Sequence, residues 1–177
     1  MSGKRSESVS GDDDTESLVI ESPERHDGAA LWRIARDSQK LDLNSSYAYL
    51  LWCHDFDDTS VVARVAGEPV GFVMGYRRQR AADAVVVWQV AVDASQRGKG
   101  LAGRMLDALY TGLLDSGTRY LETTITPDND ASIRLFSSFA QRWNAPLERS
   151  ALFAAADFPD AHEPEEHYRI GPLVRDA

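Results

Sequence analysis

Apolar positions along the chain follow two periods, and the switches between them mark the elements. Residues 1–16 hold Ser, Gly, Asp and Glu without an apolar period, so a disordered acidic tail is expected there. Leu18–Glu21 fits a short first strand. After Pro23 a helical period runs over 24–38, with Leu31, Ile34 and Ala35 on one face. The polar run 41–46 is a loop before a second helix carrying Tyr47, Leu50, Leu51 and His54, with Ser45 or Ser46 as N-cap. Alternation predicts strands over 60–65 and 70–76, joined by a turn through Gly67. A polar loop, 77–83, leads to Ala84–Val92, an apolar run suited to a central strand buried on both faces. A helix over 101–114, a strand over 120–126 stopped by Pro127, and a helix capped at 128–130 and running to about Trp143 follow. Strands near 150–153 and 167–170 complete the set.

No repeat or linker divides this series, which reads as one domain over 17–173 with a short tail at 174–177. The order predicts an α/β (α+β) fold, a mixed central sheet of six to seven strands flanked by about four helices.

Composition narrows the classes. At 177 residues with 43% apolar content, the chain is sized for one buried core. No run approaches the ~18 apolar residues of a membrane span, and the start does not resemble a signal peptide. Cys53 is the single cysteine and sits in an apolar run, which fits an inert buried thiol in the cytoplasm. A net charge of −9 argues against nucleic acid as partner and is compatible with a small cationic substrate.

Against that acidic background, residues 97–104 are basic. The apolar run ending at Val92 feeds a glycine loop, Arg97-Gly98-Lys99-Gly100-Leu101-Ala102, and a helix starts at once. Helix N-termini offer free N–H groups and a positive dipole end, and glycine lets backbone wrap a phosphate. The loop lacks the Gly-Lys-Ser/Thr ending of a P-loop and the third glycine of a dinucleotide fingerprint.

Arg97-x-x-Gly100-x-Ala102 after an apolar strand resembles the acetyl-CoA pyrophosphate loop of GCN5-related N-acetyltransferases. Asn129-x-x-Ser132-x-x-Leu135-Phe136 is similar to a second segment of that superfamily, whose Asn touches the coenzyme. More narrowly, Leu41 to Leu51, Val87 to Ala102 and Tyr120 to Pro127 resemble the diaminobutyrate acetyltransferases of ectoine (compatible-solute) synthesis, a similarity spanning roughly 18–172. The resemblance implies acetyl transfer from acetyl-CoA to the side-chain amine of L-2,4-diaminobutyrate, and a homodimer. It also implies a backbone N–H near Val90 or Ala91, at a strand bulge, that polarises the thioester carbonyl. The same strand, with Val92, would splay from its neighbour and hold the pantetheine arm. Relatives often place a Tyr, as acid for the thiolate, where this chain has Phe136.

A small diamine needs an anion for an ammonium, a donor for its carboxylate and a base, because an alkyl ammonium of pKa ~10 is protonated at neutral pH. Asp42, in a polar loop between two leucines, is the candidate for the ammonium, with a plain loop or cap Asp as the alternative. Tyr47 is a candidate to bind substrate, orient the base or supply the acid; a core aromatic is its alternative. Trp88 would shape the pocket or meet an ammonium through its ring, if it is not ordinary sheet packing. Thr124 joins the substrate-binding candidates. In the polar stretch near the C-terminus Glu165 is the first candidate for general base and His162 the next. Glu122, on a strand face that would reach the site, is a further substrate-binding candidate and the runner-up base, acting through water. No metal is expected, since His162 and His167 lack a ligand spacing and a thioester needs none. Other small amines, protein N-termini, or acyl-CoA sensing without catalysis are the competing functions.

Overall fold

The computed structural model describes residues 17–174. Seven strands, β1 (Leu18–Glu21), β2 (Val61–Val65), β3 (Glu68–Arg77), β4 (Ala84–Val92), β5 (Tyr120–Ile125), β6 (Leu147–Phe153) and β7 (Glu165–Ile170), form one sheet in the order β1-β2-β3-β4-β5-β7-β6. Every neighbouring pair is antiparallel except β4 and β5, which run parallel. Helices α1 (Gly28–Ser38) and α2 (Ser46–Asp55) pack on one face through Leu31, Ile34, Tyr49 and Cys53. Helices α3 (Leu101–Leu113) and α4 (Asp130–Arg142) pack on the other through Met105, Leu109, Phe136 and Phe139. Ala84 to Val87 are buried on both faces, as an apolar run at the centre of a sheet should be.

One irregularity in β4 positions the site. Gly75 faces Val87 and Met74 faces Gln89, leaving Trp88 as the extra residue of a bulge. The bulge flips the pleat: Val85 and Val87 belong to the α3–α4 core, and Val90 and Val92, rather than Gln89, next pack against it. Gly75 is required opposite, because a Cβ there would lie 2.7 Å from the Thr59 carbonyl oxygen and 2.9 Å from that of Val86. The Gly75 carbonyl accepts from the Trp52 indole at 3.0 Å and the Thr59 hydroxyl at 2.9 Å.

Some boundaries differ from the sequence expectation. The helix expected over 24–38 begins at Gly28, since Asp27 accepts the Glu24 N–H and the Arg64 guanidinium, each at 2.7 Å, and winds Arg25–Asp27 into a tighter turn. Ser45 holds the cap position of α2 but makes no side-chain cap bond. Strands β6 and β7 start three and two residues earlier than expected, because Glu148, Arg149, Glu165 and Glu166 are polar members of exposed or half-exposed strand faces. The expected tail at 1–16 lies outside the described residues, as does the end of the chain beyond Val174.

Candidate active site

The β4–β5 ladder runs from Ala84↔Tyr120 to Val87↔Thr123 and stops there. Beyond the bulge the two strands part, and a cleft of about 600 Å³ opens between them. Its walls carry Val87 to Val90 of β4, Thr123 to Thr126 at the end of β5, and Asn129 and Phe136 of α4. Leu41, Asp42 and Asn44 from the α1–α2 loop, His162 from the β6–β7 connection and Glu165 at the start of β7 close its other end. Past Val87, the β4 backbone edge on the β5 side has no ladder partner among the described residues, so its polar groups are open to a ligand. Val90 lines the cleft, whereas Ala91 is buried on the α1–α2 side and Val92 is half-buried against the α3–α4 core. The bulge itself lies at Trp88, two residues before the Val90 position implied by resemblance.

Arg97 to Gly100 are exposed where β4 ends, and α3 begins directly at Leu101. Gly98 (φ 76°) and Gly100 (φ 73°) are both left-handed, a conformation strained for any other residue type. An added Cβ at either would meet no atom within 4 Å among the described residues, so the space beside the loop is open. Gly100 gives α3 no side-chain cap; the first-turn N–H groups, including those of Leu101 and Ala102, keep the helix's positive end free for an anion. Arg97 Nε donates to the Val92 carbonyl at 3.2 Å, and Lys99 Nζ to Gln96 at 3.0 Å, which holds both cations over the loop. Asn129 caps α4, its side-chain oxygen accepting from Ser132 N–H at 3.1 Å at the cleft wall. The parted strands, the open glycine cradle and the cation pair fit a phosphorylated, amide-rich chain such as coenzyme A.

The acceptor end is acidic. His162 Nε2 lies 3.5 Å from an Asp42 carboxylate oxygen and 3.9 Å from Glu165 Oε1. The Asp42 carboxylate is 92% exposed and that of Glu165 only 19%. Burial pushes the Glu165 carboxyl above the usual range, while a hydrogen bond from Thr124 and the His162 ring pull the other way. Its Oε2 is buried and has no hydrogen-bond partner among the described residues. His162 is stacked on Phe158, with ring centroids 4.1 Å apart, and its Nδ1 lies 2.6 Å from the Glu163 carbonyl. That carbonyl first, and then Asp42 and Glu165, raise the imidazole above its ordinary pKa. A ring donating through Nδ1 turns its Nε2 to the carboxylates.

Of the sequence candidates, Asp42, Trp88, Thr124, His162 and Glu165 meet at the cleft. Trp88 is 41% exposed and lies on Trp52 at 4.4 Å between ring centroids, so it is at once wall and packing. Tyr47 is 68% exposed on α2 and is not part of the cleft wall. Glu122 is also absent from that wall. It is 3% exposed, accepts from Arg78 at 2.6 Å, and has His167 Nε2 at 3.3 Å and Arg169 Nε at 3.5 Å beside its carboxylate. Sequence reasoning passed over Gln89, which is buried beside the cleft, and Lys40, Asn44 and Phe158 in its wall. The signal for Gln89 was a lone amide inside an otherwise apolar strand.

Fold and cleft together define an acyl-CoA N-acetyltransferase, and the acetyltransferase (GNAT) family matches residues 28–140. A protein of Streptomyces avermitilis named L-2,4-diaminobutyric acid acetyltransferase is 59% identical over 161 residues, which cover 89% of this chain and 90% of that one. A Marinococcus halophilus protein of the same name is 45% identical, covering 90% of this chain and 93% of its own. The solved diaminobutyrate acetyltransferase of Paenibacillus lautus, in complex with its substrate L-2,4-diaminobutyric acid and coenzyme A, superposes with a TM-score of 0.85 at 39% identity, covering 92% of this chain and 99% of that one. This chain belongs to the L-2,4-diaminobutyric acid acetyltransferases of the GNAT family.

Proposed function

We propose that this chain transfers the acetyl group of acetyl-CoA to the side-chain amine of L-2,4-diaminobutyrate, giving N4-acetyl-L-2,4-diaminobutyrate for ectoine synthesis. The observation that carries the reading is the half-buried Glu165, its Oε2 unpartnered among the described residues, beside Asp42 at the acceptor end of a coenzyme cleft. Acetyl-CoA supplies the acetyl group as a thioester. Arg97, Lys99, the Gly98–Gly100 backbone and the first turn of α3 hold its pyrophosphate, and the parted edge of β4 holds its pantetheine arm. Asn129 flanks that arm from α4.

The amine arrives as an ammonium and must lose a proton before it attacks. Glu165 accepts that proton. Burial brings the carboxyl closer to the amine in basicity and so narrows the gap that transfer must cross. His162, between Glu165 and the exposed Asp42, passes the proton to solvent through Nε2. Asp42 holds the second ammonium, and Trp88 and Thr124 form the walls of the acceptor pocket. Attack is direct, with both substrates bound: the free amine adds to the thioester carbonyl, the C–N bond forms as the C–S bond breaks, and coenzyme A leaves as its thiolate, protonated by solvent. Release of coenzyme A measured over a panel of diamines, polyamines, aminoglycosides and peptide N-termini tests the reading. Diaminobutyrate should be turned over with the highest kcat/KM, and efficient turnover of another amine with none of diaminobutyrate would overturn it.

The same reading includes a cytoplasmic homodimer. Among the described residues no helix is long and apolar enough to cross a membrane. Leu152 and Phe153 on the edge strand β6 are 44% and 49% exposed, and Leu43, Tyr47 and Leu50 leave a second apolar stripe uncovered, both suited to contact with another copy. Light scattering at working concentration decides: twice the chain mass is expected, and a monomer counts against it.

A further inference from the structure

Gln89 is the one polar residue in the run from Val85 to Val92. The bulge at Trp88 carries it off the α3–α4 face and onto the α1–α2 face, where it is 5% exposed. There its amide is used at both ends. The hydroxyl of Tyr49, itself fully buried, donates to Gln89 Oε1 at 3.0 Å, and Gln89 Nε2 donates to the Asp42 carbonyl at 2.9 Å. The amide accepts on one side and donates on the other, and so satisfies both partners without a buried charge. Residues 39–45, which carry Asp42, form neither helix nor strand. This bond ties the loop's backbone to the strand beside the acetyl-transfer cleft, while Asn44 supports the loop from within, its Nδ2 donating to the same Asp42 carbonyl at 3.4 Å.

We infer that Gln89 is a positioning residue: a crossbar from the β4 bulge that fixes the Asp42 loop at the distance a short diamine needs. The inference rests on the activity proposed above. Without the crossbar, Tyr49 and the Asp42 carbonyl lose a buried partner, and the Asp42 carboxylate drifts from His162 and the substrate ammonium.

Gln89→Leu keeps the volume and removes both bonds. It should raise KM for diaminobutyrate about tenfold, the scale of one buried hydrogen bond, and leave KM for acetyl-CoA within about twofold. Because Gln89 acts through Asp42, the double variant with Asp42→Asn should bind the diamine no worse than Asp42→Asn alone. Independent effects that multiply, or an equal rise in KM for acetyl-CoA, would show a general packing role and overturn the inference. If Gln89→Leu does not fold, Tyr49→Phe removes the bond that holds Gln89 Oε1, together with the hydroxyl's contact with Asn44 of the same loop, and decides instead: a threefold or larger rise in diamine KM supports the crossbar, and no change overturns it. Amide exchange over 40–44 in either variant needs no turnover. Faster exchange confined to that loop supports the crossbar even if the protein proves to use another amine, and unchanged exchange overturns it while leaving the proposed activity standing.

Discussion

Replacing Glu165 by Gln isolates the proton-transfer step, because the amide fills the same space and cannot act as a base. An alkyl ammonium with a pKa of about 10.4 is free amine to about one part in a thousand at pH 7.4. With the carboxylate gone, the enzyme must wait for that fraction, so kcat should fall by roughly 10²–10³, within the range of a lost general base. The remaining rate should rise about tenfold per pH unit through neutrality, as the free-amine fraction does. The native enzyme should instead show an acid limb set by Glu165, displaced upward from the ordinary glutamate value by burial. Stability should move the other way. A carboxyl whose pKa is raised on folding binds its proton more tightly in the folded chain, so its contribution falls as pH rises from the unfolded value through the folded one. At neutral pH the buried carboxylate burdens the fold, and Glu165→Gln should leave Tm unchanged or raise it. The assay is coenzyme A release from pH 6 to 10 alongside thermal melting. A fall in kcat below threefold, or a variant whose rate levels off at the native enzyme's pH instead of rising on toward the pKa of the amine, would refute the assignment of Glu165 as base.

Asp42→Asn should raise KM for diaminobutyrate about tenfold or more, as expected for a lost bond to a charged group, with acetyl-CoA affinity by calorimetry unchanged; a normal diamine KM counts against Asp42. Gly100→Val should abolish acetyl-CoA binding, since its left-handed φ of 73° excludes a branched side chain and the added methyls enter the open cradle; unchanged affinity in the same titration would move the pyrophosphate elsewhere. Gly75→Ala forces a Cβ within 2.7 Å of the Thr59 carbonyl oxygen, so the bulge must shift. A loss of about 1–3 kcal/mol by urea unfolding, with lower kcat in what remains folded, is expected, and native stability would show that the bulge is loosely held.

The coenzyme half of the site was legible because its chemistry is local. A strand, a glycine turn and a helix start lie within Ala84 to Ala102, and left-handed glycines and free N–H groups follow from that order alone. The acidic acceptor half was legible as residue types but not as geometry. Asp42, His162 and Glu165 lie up to 123 residues apart and meet where two loops and the start of β7 come together at the parted strands. The position of Tyr47 was not legible because α2 carries apolar side chains on most of its faces, so its sequence does not fix which face turns inward; Tyr49 and Cys53 are the buried ones, and Tyr47 is exposed. Glu122 looked like a free acid on a strand face. Its partners come from the β3–β4 loop and from β7, and no local pattern announces them. The bulge at Trp88 was expected slightly late, since an apolar run gives no mark of where its pleat slips. Gln89 and Gly75 are that mark, legible once the register is known.

The central claim is that this cleft places the side-chain amine of diaminobutyrate, and not its α-amine, against the acetyl group. It is tested most directly by incubating the purified protein with acetyl-CoA and L-2,4-diaminobutyrate and assigning the product by NMR. The account predicts a single N4-acetyl product formed in step with coenzyme A release. Acetylation at the α-nitrogen, or no acetylated product, would contradict it.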